Sequence, residues 1–250
     1  MKLGLTIGLG GSAPRIDIDL VLEAERLGYE AVWTGESYGT DAVTPATWVL
    51  ARTTRIKAGT GIMQMPARTP ACVGMTALTL ATHQLQAKPT PNQYLALATV
   101  QEEVGCRGAT VAARLAQPDV VIVLEGPPAD DVPGLNLSES QGSLGAGVQV
   151  RAFDPTAIMN PRLVDLTLQV AAERGIPCQL AVRRTGGTDA RSFQAHGLGV
   201  PVIVLGVPAR YIHTHNAVID VADLKACVDL AVALVRKLDA KAVAALTEVL

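Results

Sequence analysis

The sequence predicts an α/β protein, a three-layer α/β/α sandwich on a mostly parallel central sheet, and three observations predict it. Short apolar runs of strand length alternate with amphipathic stretches, the pattern of β-α units whose right-handed crossovers demand parallel strands. At 250 residues the chain has room for one large α/β domain or two small ones, with an ample core. Apolar types make up 49% of it but aromatics only 3%, so that core is built from Val, Leu, Ile and Ala.

The elements follow in order. Leu3 to Leu9 reads as a buried strand, then comes a Gly/Ser/Pro turn and a helix through Val21, Leu22, Ala24 and Leu27 that stops at Gly28. Ala31 to Thr34 is a second strand, Pro45 to Ala51 a helix, Ile56 to Ile62 a third strand and Thr69 to Leu85 a helix with small, apolar faces. Composition shifts at Lys88-Pro-Thr-Pro-Asn92, a strong turn signal and the best candidate for a boundary. Beyond it, Tyr94 to Val100 reads as a strand, Gly108 to Leu115 as a short helix and Val120 to Leu124 as a strand ending in Glu125. The Pro/Asp/Ser/Gly-rich stretch from Gly126 to Gly142 is a long loop. Gly147 to Phe153 is a strand, and Asn160-Pro161 opens a clear helix that runs to Gly175. Cys178 to Val182 and Val200 to Leu205 are strands flanking a helix at Asp189 to His196, and Val221 to Leu238 is a long amphipathic helix.

Composition also excludes function classes. Lys plus Arg is 21 against 23 for Asp plus Glu, a net charge of -2 that supplies no field to hold a polyanion, so no nucleic-acid partner is expected. Cys72, Cys106, Cys178 and Cys227 lie tens of residues apart with no CxxC spacing, which reads as reduced thiols of an intracellular protein. The N-terminus lacks the apolar run and cleavage site of a signal peptide, and the two uncharged stretches, Thr69 to Ala87 and Ser192 to Ala209, are broken by polar residues or by Gly and Pro. A cytoplasmic protein without a membrane partner is expected; the oligomeric state is not readable.

The acidic and imidazole positions worth attention sit at strand ends, where an open α/β sheet places its ligand crevice. Glu102 and Glu103 follow one strand, Glu125 follows the next, and His213 follows Val200 to Leu205 after a Pro-containing link. Consecutive side chains on an extended segment point apart, so a Glu-Glu pair can send one carboxylate to a metal and leave its neighbour to hold the attacking water. Solvated loop residues fit the same spacing. Pattern alone therefore reaches a soluble α/β protein with a candidate hydrolase site.

Thr99-Val-Gln-Glu-Glu-Val-Gly-Cys-Arg-Gly-Ala109 closely resembles the signature of the cobalt- or zinc-dependent aminopeptidases of the tetrahedral, glutamyl aminopeptidase and cellulase M family. Pro118-Asp119 through Leu124-Glu-Gly-Pro-Pro-Ala-Asp130, Asp154-Pro155 with Asn160-Pro-Arg-Leu163, Gly187-Thr-Asp-Ala190 and Arg210-Tyr-Ile-His213 resemble further blocks of that family, in its order. The resemblance covers about residues 85 to 240. It implies Glu102 as general base, Glu103 and His213 as ligands of one zinc or cobalt ion, Glu125 as a ligand of a second, Asp189 as a residue near the site, and a small peptide as substrate. The family's His-x-Asp segment and Asp-Asp-Arg block, which would supply another ligand and the bridging carboxylate, have no counterpart here.

Met1 to about Leu80 instead resembles luciferase-like monooxygenases, particularly the deazaflavin-dependent ones. Gly4-Leu-Thr-Ile-Gly-Leu9, Ala24-Glu-Arg-Leu-Gly-Tyr29, Ala31-Val-Trp-Thr-Gly-Glu36, Thr53-Thr-Arg-Ile-Lys-Ala-Gly-Thr-Gly61 and Arg68-Thr-Pro70 with Met75-Thr-Ala-Leu78 carry that likeness. It implies the first three βα units of a TIM barrel, with Gly61 and Ile62 beside a flavin or deazaflavin ring. The expectation is thus half a TIM barrel (1–84) fused to a zinc-exopeptidase-like half (85–250) as one domain over 1–250, an engineered or recombined chimera. The last strand of the first piece would pair with Tyr94 to Val100 to continue one sheet. A remnant metal-dependent aminopeptidase site of weak or no activity is the leading functional expectation. Flavin or deazaflavin binding and a non-catalytic protein that merely tests a fold are the rivals.

Overall fold

The computed structural model describes residues 3–7, 16–35, 43–62, 70–134, 140–213 and 217–248, with the side chains at 35, 43–44, 60–62 and 70–72 left aside. The chain divides into two compact units, Met1–Ala67 and Arg68–Leu250.

The first unit holds β1 (Gly4–Ile7), α1 (Ile18–Arg26), β2 (Ala31–Gly35), α2 (Val43–Arg52) and β3 (Lys57–Ile62). Its three strands pair in parallel in the order β1-β2-β3, as the β-α-β-α-β pattern demands. Asp17 caps α1 by accepting from the Leu20 N–H at 3.1 Å. Trp33 spreads across both neighbouring strands because each faces it with a glycine: a Cβ at Gly59 would stand 2.7 Å from the indole, and one at Gly4 3.0 Å from its nitrogen. Val21, Ala24, Val32, Val49 and Ile56 are the buried residues of the core of this unit.

The second unit contains α3 (Pro70–Gln86), α4 (Arg107–Ala116), β4 (Val121–Glu125), β5 (Val148–Asp154), β6 (Ala157–Ile158), α5 (Pro161–Arg174), β7 (Cys178–Val182) and α6 (Ala190–Gln194). It continues through β8 (Val202–Gly206), β9 (Ala209–Arg210), β10 (Val218–Ile219), α7 (Val221–Lys237) and α8 (Ala240–Thr247). Five strands form a sheet in the order β4-β8-β5-β6, with β7 also on β5. The β4-β8 and β5-β7 pairs are parallel, as the sequence predicts, and β5 runs antiparallel to β8. Every residue of β8 is buried, the mark of a strand covered by helices on both faces. Helix α5 shows why these segments stop where they do. Asn160 accepts from the Leu163 N–H at its start, Pro161 fills the first turn, and Gly175 ends it in the left-handed region at φ 62°.

Two expectations are corrected. Tyr94 to Val100 is not a strand: it is irregular chain, with Leu95 and Leu97 50% and 41% exposed and the Tyr94 hydroxyl 2.8 Å from that of Thr82. An apolar run becomes a strand only where a sheet edge takes up its backbone groups. The single continuous sheet is therefore replaced, among the described strands, by separate sheets. The turn at Lys88 to Asn92 is likewise not where the compact units part. Asn92 donates to the Val235 and Leu238 carbonyls at 2.7 Å each, tying the turn to the end of α7. Helix α3 packs on α7 and β4, and a Cβ at Gly74 would lie 2.5 Å from the Leu124 carbonyl oxygen, so only glycine permits this approach.

A candidate metal centre

The second unit contains a cavity of about 1050 Å³ lined by Glu102, Glu103, Glu125, Asp189, Arg151 and His213 among others. Three local devices bring these side chains to it.

Glu102 and Glu103 sit on a tight turn that leads into α4, not on the extended segment expected from the sequence. Gln101 has φ 61° and Cys106 φ 54°, and the Gly105 and Cys106 N–H groups donate to the Glu102 carbonyl at 3.1 and 2.9 Å. The Gly108 N–H donates to the Val100 carbonyl at 3.0 Å, and a Cβ at Gly108 would approach that oxygen to 2.4 Å, so the turn closes only on glycine. Glu125 ends β4, level with Gly206 of β8, which is itself level with Gln149 of β5.

His213 reaches the same place because the segment after β4 pairs with β9. The Ala129 N–H donates to the Ala209 carbonyl at 2.8 Å and the Ala209 N–H to the Pro127 carbonyl at 2.9 Å. Arg210 then clamps Asp131 with two bonds of 2.7 and 2.8 Å. Tyr211 and His213 follow at φ 61° and 58°, so four of the five described non-glycine residues at positive φ lie on the two segments that carry the site, Gln117 being the fifth. The His213 Nδ1 lies 3.2 Å from Glu103 Oε1, both side chains more than half exposed at the rim.

The electrostatics of the cavity are those of crowded carboxylates. Burial pushes Glu125 up to about 8, opposed by the Arg151 guanidinium and reinforced by Glu102, Asp189 and Glu103. Burial, then the charges of Glu103 and Asp189, raises Glu102 as well. Arg151 is shared with Asp154 at 3.2 Å, so its charge is divided between that pair and the cavity. Carboxylates that repel one another in this way, with an imidazole beside them, suit a zinc- or cobalt-type cation, whose charge removes the repulsion.

Of the residues expected from sequence, Glu102, Glu103, Glu125 and His213 thus share one cavity, with only Glu103 and His213 in direct contact. Gly61 and Ile62 end β3, and their side chains fall outside the described residues. Cys106, which the sequence does not single out as a site residue, lines the same cavity. Its thiol lies 3.7 Å from Glu102 Oε1, and Glu102, Cys106 and Asp189 offer ligand atoms all within 4.8 Å of one another. The four-residue spacing of Cys106 from Glu102 is the signal for it in the sequence.

Comparison with known proteins gives two family matches. The M42 glutamyl aminopeptidase model matches residues 72–230 and the luciferase-like monooxygenase model residues 6–84, the two overlapping inside α3. The glutamyl aminopeptidase of Lactococcus lactis subsp. cremoris is 37% identical over 136 residues, 54% of this chain and 37% of that protein. A Mycobacterium tuberculosis protein named "Putative coenzyme F420-dependent oxidoreductase" is 44% identical over 81 residues, 32% of this chain and 23% of that one. Among solved structures, a TET aminopeptidase from the marine sediment archaeon Thaumarchaeota archaeon SCGC AB-539-E09 superposes with a TM-score of 0.70 at 34% identity. That match covers 71% of this chain and 50% of the archaeal one. The chain therefore has a two-part composition and spans less than half the length of these curated relatives. Among the described residues, no helix is long and apolar enough to cross a membrane.

Proposed function

Since the chain belongs to the M42 glutamyl aminopeptidase family, we propose that its cavity is a metal-dependent aminopeptidase centre in reduced form, hydrolysing small peptides slowly. Glu103, Glu125 and His213 would hold zinc or cobalt, and Glu102 would be the general base. The observation that carries this reading is the 3.2 Å contact of Glu103 with His213 on the cavity that Glu102 and Glu125 also line.

The metal, when bound, supplies a Lewis acid for the peptide carbonyl and acidifies a water. The chain's own groups do the rest. Glu102, half-buried and with its pKa raised by burial and by the acids around it, has a carboxylate suited to take a proton from that water and return it to the departing amine. Glu125 is held by the backbone of β4, and the Asp131–Arg210 clamp fixes the segment that presents His213. Leu78, Leu97 and Val123 line the apolar part of the cavity, where a substrate side chain would exclude water. Slow turnover follows from the donor set: three protein ligands spread over two cation positions, without a bridging carboxylate, hold a metal pair poorly. The partial coverage of both families supports the further reading of the chain as an engineered or recombined chimera joined within α3.

The test is metal analysis of the purified full chain joined to hydrolysis of aminoacyl p-nitroanilides. Hydrolysis lost in Glu103→Gln and in His213→Gln, each binding about one equivalent less zinc or cobalt than the unaltered chain, is the expected result. A chain that binds no metal and leaves every substrate intact refutes the proposal.

A further inference from the structure

Cys106 and Asp189 are 4% and 7% exposed, Glu102 is half-buried, and all three line the cavity. Acidic groups near a thiol are common and would carry nothing alone. What sets this cluster apart is Asp189. One of its oxygens accepts from the Thr99 hydroxyl, but the other, Oδ1, is buried without a hydrogen-bond partner. A buried carboxylate oxygen with at most the Cys106 thiol to accept from is costly, and native structures rarely leave one without a proton, water or cation.

We propose that Glu102, Cys106 and Asp189 form a second, thiolate-containing site for a single zinc- or cobalt-type cation, separate from Glu103, Glu125 and His213. Their ligand atoms lie within 4.8 Å of one another, whereas those around a tetrahedral zinc lie roughly 3.3–3.8 Å apart. The cluster therefore needs to close by no more than about 1.5 Å at its widest pair. Thiolate sulfur selects borderline and soft cations and excludes calcium and magnesium. On binding, the sulfur–metal bond forms as the thiol S–H bond breaks; the proton goes to solvent and nothing is oxidised or reduced. Water would complete the coordination.

One consequence rests on the aminopeptidase reading. A cation held here commits the Glu102 carboxylate, so this site and the general-base role exclude each other, and excess metal would inhibit hydrolysis. The binding itself stands without that reading.

The experiment is a titration of the chelator-stripped full chain with cobalt(II) chloride, followed in the near ultraviolet. A sulfur-to-cobalt charge-transfer band saturating with bound metal is expected, abolished by Cys106→Ser and retained in Glu103→Gln and His213→Gln. Asp189→Asn should keep the band while weakening cobalt affinity at least about tenfold. Cobalt bound without the band, or a band that survives Cys106→Ser, overturns the proposal. Should Cys106→Ser fail to fold, the cadmium-113 resonance of the unaltered chain decides. A shift toward sulfur coordination supports the site, and one in the range of oxygen and nitrogen ligands alone overturns it. Loss of hydrolysis in Glu103→Gln with the band intact separates the fate of this site from that of the aminopeptidase centre.

Discussion

The two compact units use the same grammar of strand, helix and strand, yet differ in how much they bury. In Met1–Ala67 the described core is Val21, Ala24, Val32, Val49 and Ile56 around three parallel strands, and Leu5, Ile7 and Ala58 are only partly covered. In Arg68–Leu250 the core runs from α3 through β8 to α7 and α8, with Ile203, Leu205, Leu230 and Leu234 fully buried. The polar site belongs to the unit with the larger core. Crowded carboxylates work against the fold, and the larger core supplies more stability to offset them.

The sharpest way to break this comparison is to carve the same kind of hole in each core. Leu230→Ala should cost about 2–5 kcal/mol, and Val32→Ala about 2 kcal/mol, from the methyl groups removed and the cavities left. Guanidinium unfolding followed by Trp33 and Trp48 fluorescence, both in the first unit, and by far-ultraviolet circular dichroism for the whole chain is the measurement. Val32→Ala should move the fluorescence transition and leave most of the dichroism change in place, whereas Leu230→Ala should move the main dichroism transition. A single transition that shifts identically in both variants would show that the division has no thermodynamic meaning.

A smaller effect sharpens the link between fold and site. Gly108→Ala would bring a Cβ to 2.4 Å from the Val100 carbonyl oxygen, forcing the turn of Glu102 and Glu103 to open at a cost of about 1–3 kcal/mol. Cobalt binding should fall with it, while Val32→Ala leaves binding unchanged. If Gly108→Ala binds cobalt as the unaltered chain does, the turn is not what positions the acids.

How much of this was legible in the sequence depends on how local the cause is. Asn160, Pro161 and Gly175 bracket α5 through contacts within one turn, so that helix was readable to its ends. The strands β1, β2, β3, β4, β5, β7 and β8 announced themselves by apolar runs between turns. Tyr94 to Val100 made the same announcement and is irregular, because a strand is a property of its partner as well as of its own residues. The antiparallel meeting of β5 with β8 was hidden for the same reason. At the site, the resemblance in Thr99 to Ala109 drew attention to Glu102 and Glu103, but not to Gln101 and Cys106 at positive φ, which replace the extended pair by a turn. Cys106 and Asp189 are far apart in sequence, and their meeting with Glu102 depends on α6 lying against the start of α4, where the Ser192 hydroxyl donates to the Cys106 carbonyl at 3.2 Å.

The mildest test asks whether the segment presenting His213 is held by charge. Hydrogen bonds from Arg210 hold the Asp131 carboxyl down at about 2, against an ordinary value of 3.8. A carboxyl whose folded value is depressed binds its proton more weakly in the folded state than in the unfolded one. The stability it lends is therefore fully present above about pH 4 and is lost as the pH falls through about 2. Because Arg210 is a third exposed, solvent screens the pair and the contribution should be about 1 kcal/mol or less. Asp131→Asn should flatten the fall in stability between about pH 4 and 2, and 1 M salt should weaken it in the unaltered chain. Since Asp131 also accepts from the Leu144 N–H at 2.9 Å, the decisive control is Arg210→Gln. If that variant keeps the acid dependence of the unaltered chain, the backbone bond and not the ion pair holds the segment, and the two units would then differ in packing alone.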